Sequence, residues 1–265
     1  MRQRQMMAGA LAVAGWLGLL ATAAAAPVVL DAQGRQIQGT AIRSHEDGRI
    51  ELATPQGVRT FQPGEYRLAV ADRPELFDQA ETFRQANQMP SAIRAYTQVI
   101  EQYAFLTWDI EASRRLAGIQ NQAGRPGEAA RTLEKILDRA DHFGQRNQLH
   151  SEYLRYLAAL QERGELAEFG PRGLGALARA GDPPVAARAL VLRGDLRVAA
   201  GQHDEAVLDF LRVATLYRQA REIQAEALFK AGQSFDELRD PSAARQMYRR
   251  LRENFPQSPF AARIP

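Results

Sequence analysis

LFKAGQSFDELRDPSAARQMYRRLRENFP, residues 228–256, holds two helical faces separated by a short polar break. Leu228, Ala231, Gly232 and Phe235 follow the three-and-four spacing that puts side chains on one face of a helix. Ala244, Tyr248 and Leu251 define a second helix, which Pro256 stops because the residue before a proline is pushed out of the α region. Small residues let the two helices cross closely, and the large apolar ones fill the gap to the next pair.

The same frame recurs upstream. Leu190, Gly194, Gly201, Ala206, Phe210 and Val213 repeat it, with Gly201 where a helix C-cap falls. Leu116, Ala117, Gly124, Ala129, Leu133 and Ile136 repeat it again, and Leu76, Ala80, Phe83, Ala92, Tyr96 and Val99 give a looser copy. Ala92, Ala129, Ala206 and Ala244 are separated by 37, 77 and 38 residues, which implies a missing member near residue 167 and five units of about 38 residues. In the third unit, near residues 148–186, Tyr153, Tyr156, Leu157 and Leu160 make a helix, but Gly170, Pro171, Gly173 and Gly175 interrupt its expected partner. The reading is mainly α, an array of five helical hairpins over residues 73–265.

Leu228, Ala231, Gly232, Phe235, Ala244, Tyr248 and Pro256 occupy in order the signature of the tetratricopeptide repeat family, which the chain resembles over roughly 190 residues. Leu190 and Leu228 stand where the family usually has Trp. The closing run from Tyr248 to Ala262 resembles bacterial envelope members of the family, such as the periplasmic coordinator of the Tol-Pal system. The resemblance implies an α-solenoid that binds a protein or peptide on the concave face lined by its first helices. Carried over by register, that face comprises Glu111, Arg114 and Asn121, then Arg188, Val191 and Asp195, then Glu226, Phe229, Gln233 and Asp236. Arg114 and Arg188 are the expected anchors, because guanidinium groups hold carboxylates in bidentate fashion.

The N-terminus has the layout of a secretory signal. Arg2 and Arg4 precede an uncharged stretch from Met6 to Ala26 that ends in small alanines. Cleavage is expected after Ala25 or one residue earlier, which assigns residues 1–25 to a leader and the protein to the periplasm or the exterior. An uncleaved anchor is the alternative, since 21 uncharged residues could just span a bilayer. The chain has no cysteine, which excludes a lipoprotein, disulfides and cysteine-bound metals. Its formal charge of +3 falls to near neutral once Arg2 and Arg4 are removed. Acids and bases are mixed throughout, so no basic stripe marks a nucleic-acid partner.

Residues 26–72 have a different texture. Val28 to Leu30, Gln36 to Arg43, Arg49 to Ala53, Val58 to Gln62 and Tyr66 to Val70 each suit a strand, and Gly34, Gly48 and Gly57 supply turns. Alternation points Ile37, Gly39 and Ala41 one way, and Ile50 with Leu52 does the same in the next strand. Five short strands predict a small SH3-like module, too small to be stable alone and expected to pack near Leu76 and Phe77. It serves either as a cap on the array or as a second recognition module for a peptide or the cell wall.

Nothing in the sequence assembles catalytic chemistry. His45, His142, His150 and His203 form no metal-binding pair, and no Gly-x-Ser-x-Gly elbow is present. The glycine-rich run 170–175 lacks a P-loop lysine. Asp204 and Glu205, or Glu165 and Glu168, suit helix starts, where they complement the dipole. The sequence therefore predicts an exported, non-catalytic adaptor of the bacterial envelope without cofactor or metal. The competing reading is a peptidoglycan-binding β module with the array as spacer.

Overall fold

The computed structural model describes residues 26–137, 146–179 and 182–265. The expected leader lies outside the described residues, as does His142. The chain divides into two compact units, Met1–Leu116 and Ala117–Pro265.

The first unit opens with β1 (Val28–Asp31), β2 (Gln36–Gln38), β3 (Ala41–Ser44), β4 (Ile50–Thr54), β5 (Gly57–Phe61) and β6 (Tyr66–Val70). They form two antiparallel three-stranded sheets, ordered β2-β1-β6 and β3-β4-β5. The run expected as one strand from Gln36 to Arg43 is two strands, one in each sheet. Its break is at Gly39, where a β-carbon would stand 2.4 Å from the Ala53 carbonyl oxygen. The side-chain phase changes across that break: Ala41 is exposed, and Ile42 packs on the core instead. Ile50 and Leu52 both point inward, fully buried.

Helices α1 (Glu75–Gln85) and α2 (Met89–Gln102) pack side by side and precede α3 (Trp108–Gln122). The sheets seat on the segment between α2 and α3, and Leu76 is not among the residues of their core. Leu106 enters the β core with Val29, Leu52, Phe61 and Tyr66. Beside it, Thr107 donates to the Ala69 carbonyl and the Trp108 indole N–H to that of Ala71, each at 3.0 Å. Phe77 reaches this junction through the Trp108 ring, 5.0 Å between centroids. Phe105 and Thr107 hold positive φ of 64° and 73°, a conformation unfavourable for residues with a β-carbon, so the surrounding packing enforces it.

The second unit contains the end of α3, then α4 (Pro126–Glu134), α5 (Arg146–Glu162), a 3-10 turn (Leu166–Phe169), α6 (Gly170–Leu177), α7 (Pro183–Ala199), α8 (His203–Leu216), α9 (Arg221–Glu237) and α10 (Pro241–Asn254). Proline sits in the first turn of α4, α6, α7 and α10, where its missing N–H costs nothing. Helix α7 packs on α8, α8 on α9, and α9 on α10. The repeat alanines Ala92, Ala129, Ala206 and Ala244 are all buried, as are Tyr96, Leu133, Phe210 and Tyr248 four residues on.

The turns inside the five hairpins share one device, a residue in the left-handed region: Asn87, Gly124, Gly164, Gly201 and Arg239, with φ from 57° to 75°. Counting onward from these turns aligns the third unit, in which large and small residues have changed places. Phe169 holds the alanine position and Gly173 the aromatic one. Leu157, fully buried, takes the place of Gly194 and Gly232 in the first helix. The glycine-rich run expected to break this unit is helical, because Pro171 starts α6 and Leu174 and Leu177 bury at 1% exposure.

Candidate functional site

Within the second unit, the first helices of three successive hairpins are joined by a polar ladder. Arg188 and Asp195 lie two turns apart on α7, and Glu226 and Lys230 one turn apart on α9, so each pair shares a face. Arg188 bonds Glu226 at 2.6 Å. Lys230 bridges Glu226 at 2.8 Å and Asp195 at 2.6 Å. Asp195 also accepts a hydrogen bond from the Gln161 side-chain amide on α5. Two cations and two anions neutralise one another.

Burial sets the two carboxylates apart. Asp195 is pushed above its ordinary range by burial and further by Glu226, with Lys230 and Gln161 offsetting only part. Burial opposes ionisation of Glu226 too, yet Lys230 and Arg188 outweigh it and hold that carboxyl below its ordinary range. The side chain of Arg188 keeps 37% exposure, so the ladder is open to a ligand at its cationic end.

The other expected residues fall variously. Val191 is fully buried and Phe229 is 4% exposed, packed against Tyr248 and Phe260, so neither side chain faces solvent. Their helices bury more than one face, which the register of a single hairpin does not reveal. Gln233 and Asp236 are exposed, with Asp236 accepting the Tyr248 hydroxyl at 2.7 Å, and Asn121 is half-buried. In the first unit, Glu111 pairs with Arg114 and Arg115, each at 3.1 Å. Arg115 continues to Glu81, which also receives Arg84 and the Tyr96 hydroxyl.

Two members of the ladder, Gln161 and Lys230, escape a reading by hairpin register. Lys230 carries a signal nonetheless, as one of only two lysines and placed four residues after Glu226. A second ionic cluster, which no register position marks, lies between α7 and α8. Asp209 on α8 is fully buried and receives Arg193 at 2.7 Å, Arg197 at 2.6 Å and Arg212 at 3.3 Å. Hydrogen bonding to Asp209 holds the Arg193 guanidinium above its ordinary range. The cluster fastens α7 to α8, and its acid has no face toward a ligand.

Among the described residues no cluster of three or more potential metal donors occurs, and no helix is long and apolar enough to cross a membrane. His45 lies 3.1 Å from Glu51, and His150 is buried in α5. What the ladder can do is exchange its internal ion pairs for those of another chain.

No curated protein matches the sequence. Similar solved structures include the MamA protein, at 16% identity and TM-score 0.42 over 68% of this chain and 89% of that one. YrrB, a TPR protein with an unusual peptide-binding site, matches at 17% identity and TM-score 0.47 over 71% and 89%. The apo form of RapI matches at 11% identity and TM-score 0.49 over 71% and 56%. Tetratricopeptide repeat models match residues 77–144, 174–222 and 226–258, more than half of the chain, and leave out residues 145–173, which contain the exchanged Leu157, Phe169 and Gly173. With paired helices, left-handed turns and buried alanines recurring in register, this chain belongs to the tetratricopeptide repeat family.

Proposed function

We propose that the protein is an exported scaffold of the bacterial cell envelope that captures a polypeptide partner along first helices α5, α7 and α9. Tetratricopeptide repeat proteins are in general non-catalytic scaffolds for protein interaction, and export is supported by the Arg2 and Arg4 pair ahead of an uncharged alanine-rich stretch. The observation that carries the binding surface is the ladder from Arg188 through Glu226 and Lys230 to Asp195. It spans two hairpins with alternating charge and leaves Arg188 partly open. A partner carboxylate displaces Glu226 from Arg188, while partner amides replace the bonds that Asp195 and Glu226 give up. Because the ladder is neutral, it selects by geometry and pairing, not by bulk attraction.

The test is capture from envelope extracts on the immobilised mature protein, with Arg188→Ala and Lys230→Ala side by side. Loss of the same captured species in both variants is expected, and an unchanged set overturns the surface. Export is read separately by fusing residues 1–30 to alkaline phosphatase, which is active only after translocation. An inactive, stably expressed fusion rejects the envelope assignment.

A further inference from the structure

The end of α8, the first half of α9 and the end of α10, with the segment joining α8 to α9, line a cleft of about 570 Å³ that shares no residue with the ladder. Its apolar floor is Ala214, Leu228 and Phe255. Arg218, Arg221 and Arg250 stand around it, the first two exposed and the third half-buried. Among the described residues none of the three has a carboxylate within ion-pair distance, in contrast to Arg188, Arg193 and Arg197 in the same unit.

The cleft is held in shape. Arg221 lies over the Phe255 ring at 5.3 Å and donates to the Asn254 carbonyl at 3.3 Å. Gln224, 7% exposed, donates to the Ala214 carbonyl at 3.3 Å and ties α9 to the end of α8. One acid, Glu253, shares the wall, so the lining carries three positive charges against one negative.

We propose that this cleft is a second binding site, for an acidic peptide segment that presents carboxylates to Arg218 and Arg250 and an apolar side chain to Leu228 and Phe255. Guanidinium groups bind carboxylates through paired N–H bonds, and unpaired ones above an apolar floor lose little on engagement. The volume is that of a site for a ligand of several residues and far exceeds one oxyanion.

The experiment is fluorescence anisotropy on the full chain with a fluorescein-labelled peptide Glu-Leu-Glu-Glu-Leu-Glu and its Gln-for-Glu analogue. Saturable binding of the acidic peptide alone is expected. It should weaken about tenfold or more in the Arg218→Gln/Arg250→Gln double variant and strengthen in Glu253→Gln. Arg188→Ala should leave it unchanged, so this test fails or succeeds independently of the ladder. Arg218 is exposed and Arg250 half-buried, and a retained thermal melt shows that the fold survives. Equal affinity for the two peptides, equal affinity in the double variant, no saturable binding, or displacement by inorganic phosphate at the peptide's own concentration each overturns the proposal.

Discussion

Gly194 lies so close beneath the Phe210 ring that a β-carbon there would stand 2.4 Å from the nearest ring carbon. Gly232 and Tyr248 repeat the relationship in the next hairpin at 2.3 Å. Real β-carbons do not approach that closely, so alanine at either site forces the aromatic ring or the helix aside. Since Phe210 is fully buried, the ring has no open space to move into. Gly194→Ala and Gly232→Ala should each cost about 1–3 kcal/mol in urea unfolding. Gly118, inside α3, would meet nothing within 4 Å. There the same substitution should stabilise by about 0.5–1 kcal/mol through helix propensity alone. If all three changes have the same sign, the close crossings are not what those glycines serve.

The exchanged residues of the third unit should be energetically coupled. A β-carbon on Gly173 would meet the Tyr153 hydroxyl at 2.7 Å, and Tyr153 is itself 1% exposed. Gly173→Ala is expected to destabilise, and less so in a Tyr153→Phe background, because the blocking oxygen is gone. A double-mutant cycle by chemical denaturation should give a coupling of at least about 0.5 kcal/mol. Strict additivity would mean that Gly173 is not kept small by Tyr153.

Removing the acid at the centre of the α7–α8 cluster strands two partly buried cations. Asp209→Ala should cost about 2–4 kcal/mol, since the partly buried Arg193 and Arg197 lose the fully buried carboxylate they share. Arg212 is more than half exposed at its side chain, and Arg212→Gln should change stability by less than about 1 kcal/mol. Thermal melts of the two variants check the contrast directly.

The two ladder carboxylates should respond to pH in opposite senses. Glu226 is held below its ordinary 4.5, so it stabilises the fold above that pH and the contribution is lost as pH falls through its lower folded value. Asp195 is raised above its ordinary 3.8, so its contribution is complete at lower pH and lost as pH rises through its folded value. Glu226→Gln should therefore flatten the acid limb of stability measured by urea unfolding below pH 4.5. Asp195→Asn should gain on the unmodified protein as pH rises past 3.8. Parallel profiles for both variants would contradict the assignment.

Local offsets carried most of the fold. Spacings of three, four and seven residues fix which side of a helix is apolar, and an alanine four residues before a large apolar side chain fixes the crossing, so the hairpins at Gly124, Gly201 and Arg239 follow from the sequence alone. The tetratricopeptide family was legible for the same reason. What depended on tertiary structure involves residues far apart in the chain. The third unit keeps its hairpin although Phe169, Gly173 and Leu157 trade sizes, because packing conserves the filled volume and not the residue at each position. The β sheets seat on Leu106 because the α2–α3 segment offers an apolar side chain and polar partners for the Ala69 and Ala71 carbonyls. Val191 and Phe229 are hidden, and Arg188 is already paired, because each first helix in a stack is covered from more than one side and its charges meet those of the neighbouring hairpin. The periodicity of one helix determines what it hides, and the stacking of several decides what is left for a partner.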